Sequence, residues 1–282
     1  MKQKKGPVFI DKTLQHAFDK YGYACFRLLN EEQADKLISG YTSFAQKHQD
    51  IPISFVSTSH SNDAELISKV NDLILSVAKD EIKNHLIDYE ILFSNFLLKK
   101  AVDQSESDPH QDVTLVDESK FLSFSIWIAL TNTSPANGCL RMLNYSHKMP
   151  GGIRPNPSYP WRYRDVIPHI QSSLIDYPMK KGEAILFAHS TIHASYPNLS
   201  GVDRLAAVIA LYPNEAETFH YQLPKKDASV VHKYKMDREA FISYVKGAPP
   251  SLGQLVGKED FSSKAISSWQ YYWERFKAAL PD

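Results

Sequence analysis

A run of short, strand-like segments that begins near residue 89 constrains the fold more than any other feature of the chain. The segments are short, apolar or alternating, and separated by turn residues: EILFSNFLLKK, KFLSFSIWIALT, GCLRML, EAILFAHSTIHASY and RLAAVIALYP. This pattern is typical of an antiparallel sandwich or barrel rather than of alternating βα units. The sequence therefore predicts a mainly β fold with added helices, of the α+β class.

The segment KFLSFSIWIALT shows how one such strand is used. Successive side chains of a strand point to opposite faces. One face is fully apolar and comprises Leu122, Phe124, Ile126, Ile128 and Leu130. The other face is mixed and comprises Phe121, Ser123, Ser125, Trp127 and Ala129. We expect the mixed face to line a ligand cavity.

Helical patterns flank these strands on both sides. Before them lie KTLQHAFDKYG, EEQADKLISGYTSFAQKH and DAELISKVNDLILSVAKDEIKNHL, with a short strand, YACFRLL, between the first two. After them lie REAFISYVKG and SSKAISSWQYYWERFKAAL, which we expect to pack outside the sheet. The predicted organisation is one domain over 1–282, with a β core at about 90–212 and helical decoration at 1–88 and 213–282.

One long stretch of the core, from Pro150 to Pro178, has no periodicity. It gathers Pro, Tyr, Arg and Trp in PGGIRPNPSYPWRYRDVIPH. A loop of this length within a compact domain is often a lid or a binding loop. We interpret it as a lid or binding loop, with a disordered excursion as the alternative. Its residues Tyr159, Trp161, Arg162, Tyr163 and Arg164 either give it aromatic and cationic character for a ligand or simply anchor it.

Charge and composition argue for a local function. The 32 Lys and Arg residues balance 32 Asp and Glu residues, so no global field recruits nucleic acid or an anionic membrane. Two cysteines are too few for a disulfide framework, and no apolar run approaches the roughly 18 residues that a membrane span needs. We expect a cytoplasmic protein that acts on a small molecule, without nucleic-acid or membrane partners, and the sequence carries no signal for its oligomeric state.

A possible metal site begins in the stretch DPHQDV. In an extended segment His110 and Asp112 project to the same face, so both can converge on one ion. A His-x-Asp pair alone is weak evidence, because it often arises by chance.

Further polar residues follow in FAHSTIHASYPNLSGVDRLAAVIALY. We interpret NLSG as the turn of a hairpin, which would place Ser195 opposite Arg204 and His193 one step further along the same face. Two imidazoles and a carboxylate form the facial triad that holds Fe(II) with open positions, and arginine is a planar clamp for a carboxylate. His189 shares the parity of His193, so at this point it remains an alternative ligand.

Three ordered blocks resemble the phytanoyl-CoA dioxygenase family of iron- and 2-oxoglutarate-dependent oxygenases. The blocks are PHQD, SPANGCLRMLNYSHK and KGEAILFAHSTIHASYPNLSGVDR, and the resemblance covers roughly residues 90–212. The spacing of the third block favours His193 over His189. One departure is Tyr145, which stands where the family usually has glycine before its Ser-His-Lys turn.

The resemblance implies roles for individual residues. The iron ligands, which also form the catalytic centre, would be His110, Asp112 and His193. The residues around 2-oxoglutarate would be Arg204, Ser195, Trp127, Phe96 and Lys100. The implied fold is a double-stranded β-helix, a cupin-like jelly roll.

The implied reaction hydroxylates an unactivated C–H bond of a natural-product, amino-acid or acyl-type substrate. It would use Fe(II), 2-oxoglutarate and O2, release succinate and CO2, and be supported by ascorbate in vitro. Desaturation, epimerisation or ring formation would use the same ligands and remains an alternative. Halogenation would need a vacant iron position that Asp112 fills. A non-catalytic metabolite-binding jelly roll would not need the His, Asp, His and Arg set.

Overall fold

Antiparallel strands dominate the computed structural model, which describes residues 6–45, 55–156, 161–225, 228–244, 250–262 and 264–281. The strands are β1 (Tyr23–Arg27), β2 (Phe55–Ser57), β3 (Tyr89–Lys99), β4 (Ser107–His110), β5 (Phe124–Ala129), β6 (Leu140–Met142), β7 (Ile175–Tyr177), β8 (Glu183–Ala188), β9 (His193–Ser195), β10 (Arg204–Pro213), β11 (Phe219–Gln222), β12 (Val230–Lys235) and β13 (Gln254–Asp260). The helices are α1 (Lys12–Tyr21), α2 (Glu31–Ala45), α3 (Ala64–Lys83), α4 (Ile167–Gln171), α5 (Arg238–Ile242) and α6 (Ser268–Ala279).

Two sheets form the jelly roll. The larger has six strands in the order β1-β8-β5-β10-β3-β2, and the smaller has four in the order β4-β9-β6-β7. Side chains from both sheets meet in one apolar cluster that includes Trp127 and Phe187 of the larger sheet and Leu140 and Met142 of the smaller. The predicted fold class, mainly β with added helices, is confirmed.

The outer face of the larger sheet packs against the N-terminal helices. The alternation of β5 explains this arrangement, because Phe124, Ile126 and Ile128 all belong to the core shared with α1, α2 and α3. Trp127 belongs instead to the cluster between the sheets, and Ser125 lines a cavity there. The two faces predicted from KFLSFSIWIALT are therefore confirmed.

Local signals set the ends of α1. The Asp11 side chain accepts hydrogen bonds from the backbone N–H groups of Thr13 and Leu14, which satisfies two of the open donors of the first turn. Gly22 ends the helix at a φ of 88°, a left-handed conformation that glycine adopts without strain. The chain turns there into β1, the strand predicted from YACFRLL.

The C-terminal part differs from the prediction of helical decoration over 213–282. Helices α5 and α6 are present, but β11, β12 and β13, which precede α6 in the chain, form a third, three-stranded sheet. Moreover, α6 packs on the 143–170 region rather than on a sheet, with Tyr271 and Ala278 in the same cluster as Tyr163 and Ile170. The predicted end of α2, at 46–48, lies outside the described residues. None of the described helices has the length and apolar character needed to span a membrane.

The stretch from Pro150 to Pro178 is more regular than its composition suggested. Residues 164–166 form a 3-10 turn, α4 follows, and β7 pairs with β6. Tyr163 is fully buried and its hydroxyl donates to Glu274 of α6 at 2.9 Å, while Arg162 donates to the same carboxylate at 2.8 Å. These two residues anchor the segment, and Tyr159 lies outside the described residues.

Candidate metal centre

The two strands β4 and β9 bring the possible metal ligands together. His110 and His193 are register partners across this antiparallel pair, and their ring centroids lie 4.3 Å apart. Asp112 follows β4, and its Oδ1 lies 3.8 Å from Nε2 of His193. One donor atom from each of the three residues lies within 4.8 Å of the others, which is compatible with a shared ion. Two imidazoles and one carboxylate suit Fe(II) with open positions.

Backbone carbonyls orient both imidazoles. Nδ1 of His110 lies 2.7 Å from the carbonyl oxygen of Asp108, and Nδ1 of His193 lies 3.0 Å from that of Thr191. A carbonyl accepts only, so each Nδ1 carries the proton and each Nε2 keeps its lone pair. Ligating histidines usually donate their second nitrogen in this way, which fixes the ring and the tautomer.

Burial keeps His193 in the form that a metal requires. Loss of solvent, and then the neighbouring His110 ring, lower the pKa of His193 to about 4. The imidazole is therefore neutral at physiological pH and available as a ligand. For Asp112, burial alone would raise the pKa, but His193, His189, His110 and a hydrogen bond from Ser125 outweigh it and lower the pKa. The carboxylate is ionised.

His189 supports the site instead of joining the donor group. Its Nδ1 lies 2.7 Å from Ser123 Oγ and its Nε2 lies 3.0 Å from Ser125 Oγ, so hydroxyls occupy both ring nitrogens. Ser125 Oγ donates to Asp112 Oδ2 at 3.2 Å, and the His189 carbonyl accepts from the Asp112 backbone N–H at 3.0 Å. The sequence left His189 open as an alternative ligand because it shares the strand parity of His193. The hydrogen bonds of its two ring nitrogens do not match that role.

A buried ion pair that sequence analysis missed holds the backbone of Asp112. Arg154 is fully buried and forms a two-point contact with Glu118. Its Nε also donates to the carbonyl oxygen of Asp112 at 2.5 Å. Because these residues lie 36 and 42 positions apart, no local pattern could have indicated the contact.

Two buried cations lie next to each other beyond Ser195, and one of them, Arg204, lines the cavity between the sheets. Arg204 begins β10 and stands directly opposite Lys99 of β3, and both side chains are almost fully buried. Like charges opposite one another in a sheet are destabilising, and a buried charge needs a partner. Arg204 donates to the Gly138 carbonyl and lies over the Trp127 ring at 5.1 Å, but its Nε is buried with no hydrogen-bond partner in the described structure. The Arg204 guanidinium is therefore suited to bind an anion.

Lys99, rather than the predicted Lys100, is the lysine that lies beside Arg204 and Ser195. Its Nζ donates to Ser195 Oγ at 2.6 Å and to the Tyr196 carbonyl at 2.7 Å. Burial, and then the charge of Arg204, lower its pKa to about 7. Lys100 instead forms a partly exposed ion pair with Asp203, at 3.3 Å. Alternation along β3 explains the difference, because adjacent side chains point to opposite faces.

The same alternation corrects the prediction for Phe96. This ring is fully buried in the core shared with the helices and packs edge-on against Tyr41, with centroids 5.3 Å apart. Its neighbours Asn95 and Leu97 line the cavity in its place. Trp127, by contrast, lines the cavity as expected.

The predicted hairpin between Ser195 and Arg204 is wrong. Strand β9 pairs with β4 and β6 in the smaller sheet, whereas β10 pairs with β3 and β5 in the larger. The residues NLSG lie where the chain crosses from the smaller sheet to the larger. The Asn198 amide stabilises this crossing by donating to the carbonyls of Lys99 and Val202. Ser195 and Arg204 nevertheless line one cavity, because the two sheets face each other.

Two adjoining cavities surround the donor group. The inner chamber, of about 380 Å³, holds Asp112, His193, Ser195, Trp127 and Arg204. The outer chamber, of about 580 Å³, is lined by residues that include Gln111, Arg154, Trp161 and His220. His110 lines both chambers, so the candidate metal position lies where they meet. The Trp161 indole N–H donates to Gln111 Oε1 at 3.2 Å, which joins the 150–178 segment to the residue between the candidate ligands His110 and Asp112.

Comparison with known sequences identifies one family. The family model described as phytanoyl-CoA dioxygenase matches residues 12–206. A zebrafish (Danio rerio) protein, phytanoyl-CoA dioxygenase domain-containing protein 1, is 30% identical over 132 residues, which cover 43% of this chain and 44% of the relative. The chain thus matches less than half the length of that relative.

Solved structures with the same fold include two enzymes of nogalamycin biosynthesis. The α-ketoglutarate-dependent carbocyclase SnoK superposes with a TM-score of 0.55 at 18% identity and covers 76% of this chain and 89% of its own. The α-ketoglutarate-dependent epimerase SnoN superposes with a TM-score of 0.53 at 14% identity and covers 87% and 95%. SnoN has also been solved with Fe3+, α-ketoglutarate and nogalamycin RO. These likenesses support the assignment of the jelly-roll fold.

Proposed function

The chain belongs to the phytanoyl-CoA dioxygenase family, and from that membership we propose that it is an Fe(II)- and 2-oxoglutarate-dependent oxygenase that hydroxylates an unactivated C–H bond of a small molecule. One observation carries the proposal. A His, Asp, His donor group and the buried Arg204 guanidinium, whose Nε has no hydrogen-bond partner among the described residues, line one chamber of about 380 Å³. The first suits Fe(II), and the second suits the far carboxylate of a dicarboxylic 2-oxo acid.

The ligand residues would hold iron through His110 Nε2, His193 Nε2 and the Asp112 carboxylate. Three protein ligands leave positions open for the co-substrate and oxygen. When bound, iron and 2-oxoglutarate supply the oxidising power: one oxygen atom of O2 enters succinate as CO2 leaves, and the other enters the substrate. The chain contributes binding, orientation and the exclusion of water.

The two cations would hold 2-oxoglutarate in place. The Arg204 guanidinium is planar and always charged, so it can donate two parallel hydrogen bonds to a carboxylate. Lys99 adds a second charge and fixes the hydroxyl of Ser195, which can then donate to the same carboxylate. Trp127 lies against the guanidinium and limits its movement.

These residues do not determine whether the substrate is hydroxylated or is converted in another way. A carbocyclase and an epimerase share the fold, so ring formation, epimerisation or desaturation is the second candidate function. A non-catalytic binding role is disfavoured, because it would not require the donor group beside the buried cations.

A substrate screen with iron, ascorbate and 2-oxoglutarate tests the proposal, scored by succinate release and product mass. Hydroxylation adds one oxygen atom to the product, desaturation removes two hydrogens, and epimerisation leaves the mass unchanged. Succinate release that requires both iron and a substrate would support an oxygenase. A protein that binds neither iron nor 2-oxoglutarate would contradict it.

A further inference from the structure

The outer chamber has two walls of different origin. Residues near the candidate metal centre, such as His110, Gln111 and Trp161, form one wall. The other is formed by residues of β11 and of the region from α5 to Tyr244, namely His220, Tyr221, Phe241, Ile242 and Tyr244. The family match ends at residue 206, so this second wall lies entirely beyond the matched region. Residues of this wall can therefore distinguish the substrate of this chain from those of its relatives.

The described lining of the outer chamber is nearly neutral and largely aromatic. Apart from histidines, its charged residues are Asp108 and Arg154. The Arg154 guanidinium is fully buried and bound by Glu118, so its charge is already balanced in the wall. The aromatic side chains of the lining are Phe93, Trp161, Tyr221, Phe241 and Tyr244. Flat apolar walls of this kind suit an uncharged ring system, and the volume is typical of a small-molecule site.

On the second wall, His220 is a polar side chain whose protonated nitrogen can be assigned from its hydrogen bond. It is almost fully buried, and its Nε2 lies 2.9 Å from Gln222 Oε1. The amide oxygen accepts, so Nε2 carries the proton and Nδ1 keeps a lone pair. Within the described part of the chain Nδ1 has no hydrogen-bond partner, although the ring lines the chamber. The Tyr244 ring, 4.5 Å away between centroids, limits how far the imidazole can turn.

Burial also keeps this imidazole neutral. It lowers the pKa of His220, against the smaller opposing effect of the Gln222 hydrogen bond. A neutral imidazole with its proton fixed on Nε2 is a hydrogen-bond acceptor at Nδ1, and it does not attract an anion.

We propose that the outer chamber binds an uncharged, ring-bearing small molecule and that His220 Nδ1 accepts a hydrogen bond from a hydroxyl group of that molecule. The hydroxyl would fix the orientation of the ring system beside His110, where the two chambers meet. This inference names the substrate class of the proposed oxygenase and rests on that function only in treating the chamber ligand as the substrate. It excludes polyanionic acyl-CoA thioesters as the preferred ligands.

Four probes of graded chemistry test the proposal by direct binding. They are 2-naphthol, naphthalene, 2-naphthoate and octanoyl-CoA, measured by equilibrium dialysis with protein held anaerobically, both with and without Fe(II) and 2-oxoglutarate. We expect 2-naphthol to bind about fivefold more tightly than naphthalene, the gain from one buried hydrogen bond. The carboxylate and the acyl-CoA should bind more weakly than 2-naphthol.

Variants assign the hydroxyl preference to one atom. His220→Phe removes the acceptor and should abolish the preference for 2-naphthol over naphthalene, whereas His220→Gln retains an acceptor and should keep part of it. His16→Phe, a matched change at an exposed histidine of α1, should leave the preference unchanged. Quenching of tryptophan fluorescence that disappears in Trp161→Phe would locate the probe in the outer chamber.

The outcomes separate this proposal from the proposed oxygenase function. Tighter binding of 2-naphthoate or octanoyl-CoA, no measurable binding of 2-naphthol, or an unchanged preference in a folded His220→Phe variant would overturn the proposed substrate class. None of these results depends on iron or turnover. Conversely, failure to bind iron together with the expected probe pattern would overturn the oxygenase and leave the chamber assignment intact.

Discussion

Lys99 Nζ donates a hydrogen bond to Ser195 Oγ at 2.6 Å, and this contact joins β3 of the larger sheet to β9 of the smaller. The same lysine stands opposite Arg204, so it couples the candidate co-substrate clamp to the strand that carries His193. A bound dicarboxylate would meet both cations and the serine hydroxyl. One hydrogen bond thus links the candidate anion site to the strand of the candidate metal centre.

The first prediction concerns the form of the clamp. Arg204→Lys keeps a positive charge but loses the planar fork, so it should raise the 2-oxoglutarate concentration required for binding by roughly tenfold, about 1.4 kcal/mol. Arg204→Ala should cost more, because the co-substrate carboxylate loses its charged partner. Anaerobic titration measures both variants, and Arg27→Lys at a half-exposed position is the control. Parent-like affinity in Arg204→Ala would show that another group is the clamp.

The second prediction concerns pH. The pKa of Lys99 is lowered to about 7 by burial and by Arg204, while Glu106 and Cys139 act in the opposite direction. A bound dicarboxylate raises that pKa again, so above about pH 7 binding must take up a proton. The affinity for 2-oxoglutarate should therefore fall as the pH rises from about 7 to 9, by at most about tenfold per pH unit.

A neighbouring lysine provides the control for this pH effect. Lys99→Met should bind 2-oxoglutarate weakly and without the pH dependence, whereas Lys100→Met, at a partly exposed ion pair, should retain it. Equilibrium titrations across the pH range measure the slope. A parent protein whose affinity does not change over this range would show that Lys99 does not bind the co-substrate as an ammonium group.

The third prediction concerns the Arg154–Glu118 pair. Glu118→Gln leaves the fully buried Arg154 cation without its counter-charge, so the free energy of unfolding should fall by about 3 kcal/mol. Lys120→Met, which breaks an exposed ion pair with Asp117, should cost less than about 1 kcal/mol. Denaturant unfolding measures both. Equal losses in the two variants would mean that the buried pair does not stabilise the fold in this way.

Periodicity within a strand was readable from the sequence, and the pairing between strands was not. The alternation in β5 predicted both of its faces, because one face is fully apolar and the other combines polar and aromatic side chains. Alternation alone does not say which face of β3 meets the helices, so the predicted residues Phe96 and Lys100 lie one position away from Leu97, which lines the cavity, and from Lys99, which contacts Ser195. The pairing of β3 with β10 determines which side chains of β3 point toward the cavity.

Turn chemistry misled the prediction where the topology is non-local. The residues of NLSG favour a turn, but the chain leaves that turn for the other sheet, and the hydrogen bonds of Asn198 that hold the crossing reach back to Lys99. The third sheet was missed because β13 is largely exposed and polar, without the apolar face that signals a strand. The ligand spacing in PHQD, by contrast, is local, and the structure gathers those residues with His193.

Anaerobic Fe(II) titration of the parent, His193→Ala and His189→Ala tests the central claim most directly. The parent should bind about one Fe(II) per chain, and His193→Ala should lose that binding. His189→Ala, which removes a partner of Ser125 but no ligand, should still bind iron, with affinity weakened by roughly tenfold. Loss of iron binding in His189→Ala together with parent-like binding in His193→Ala would contradict the account.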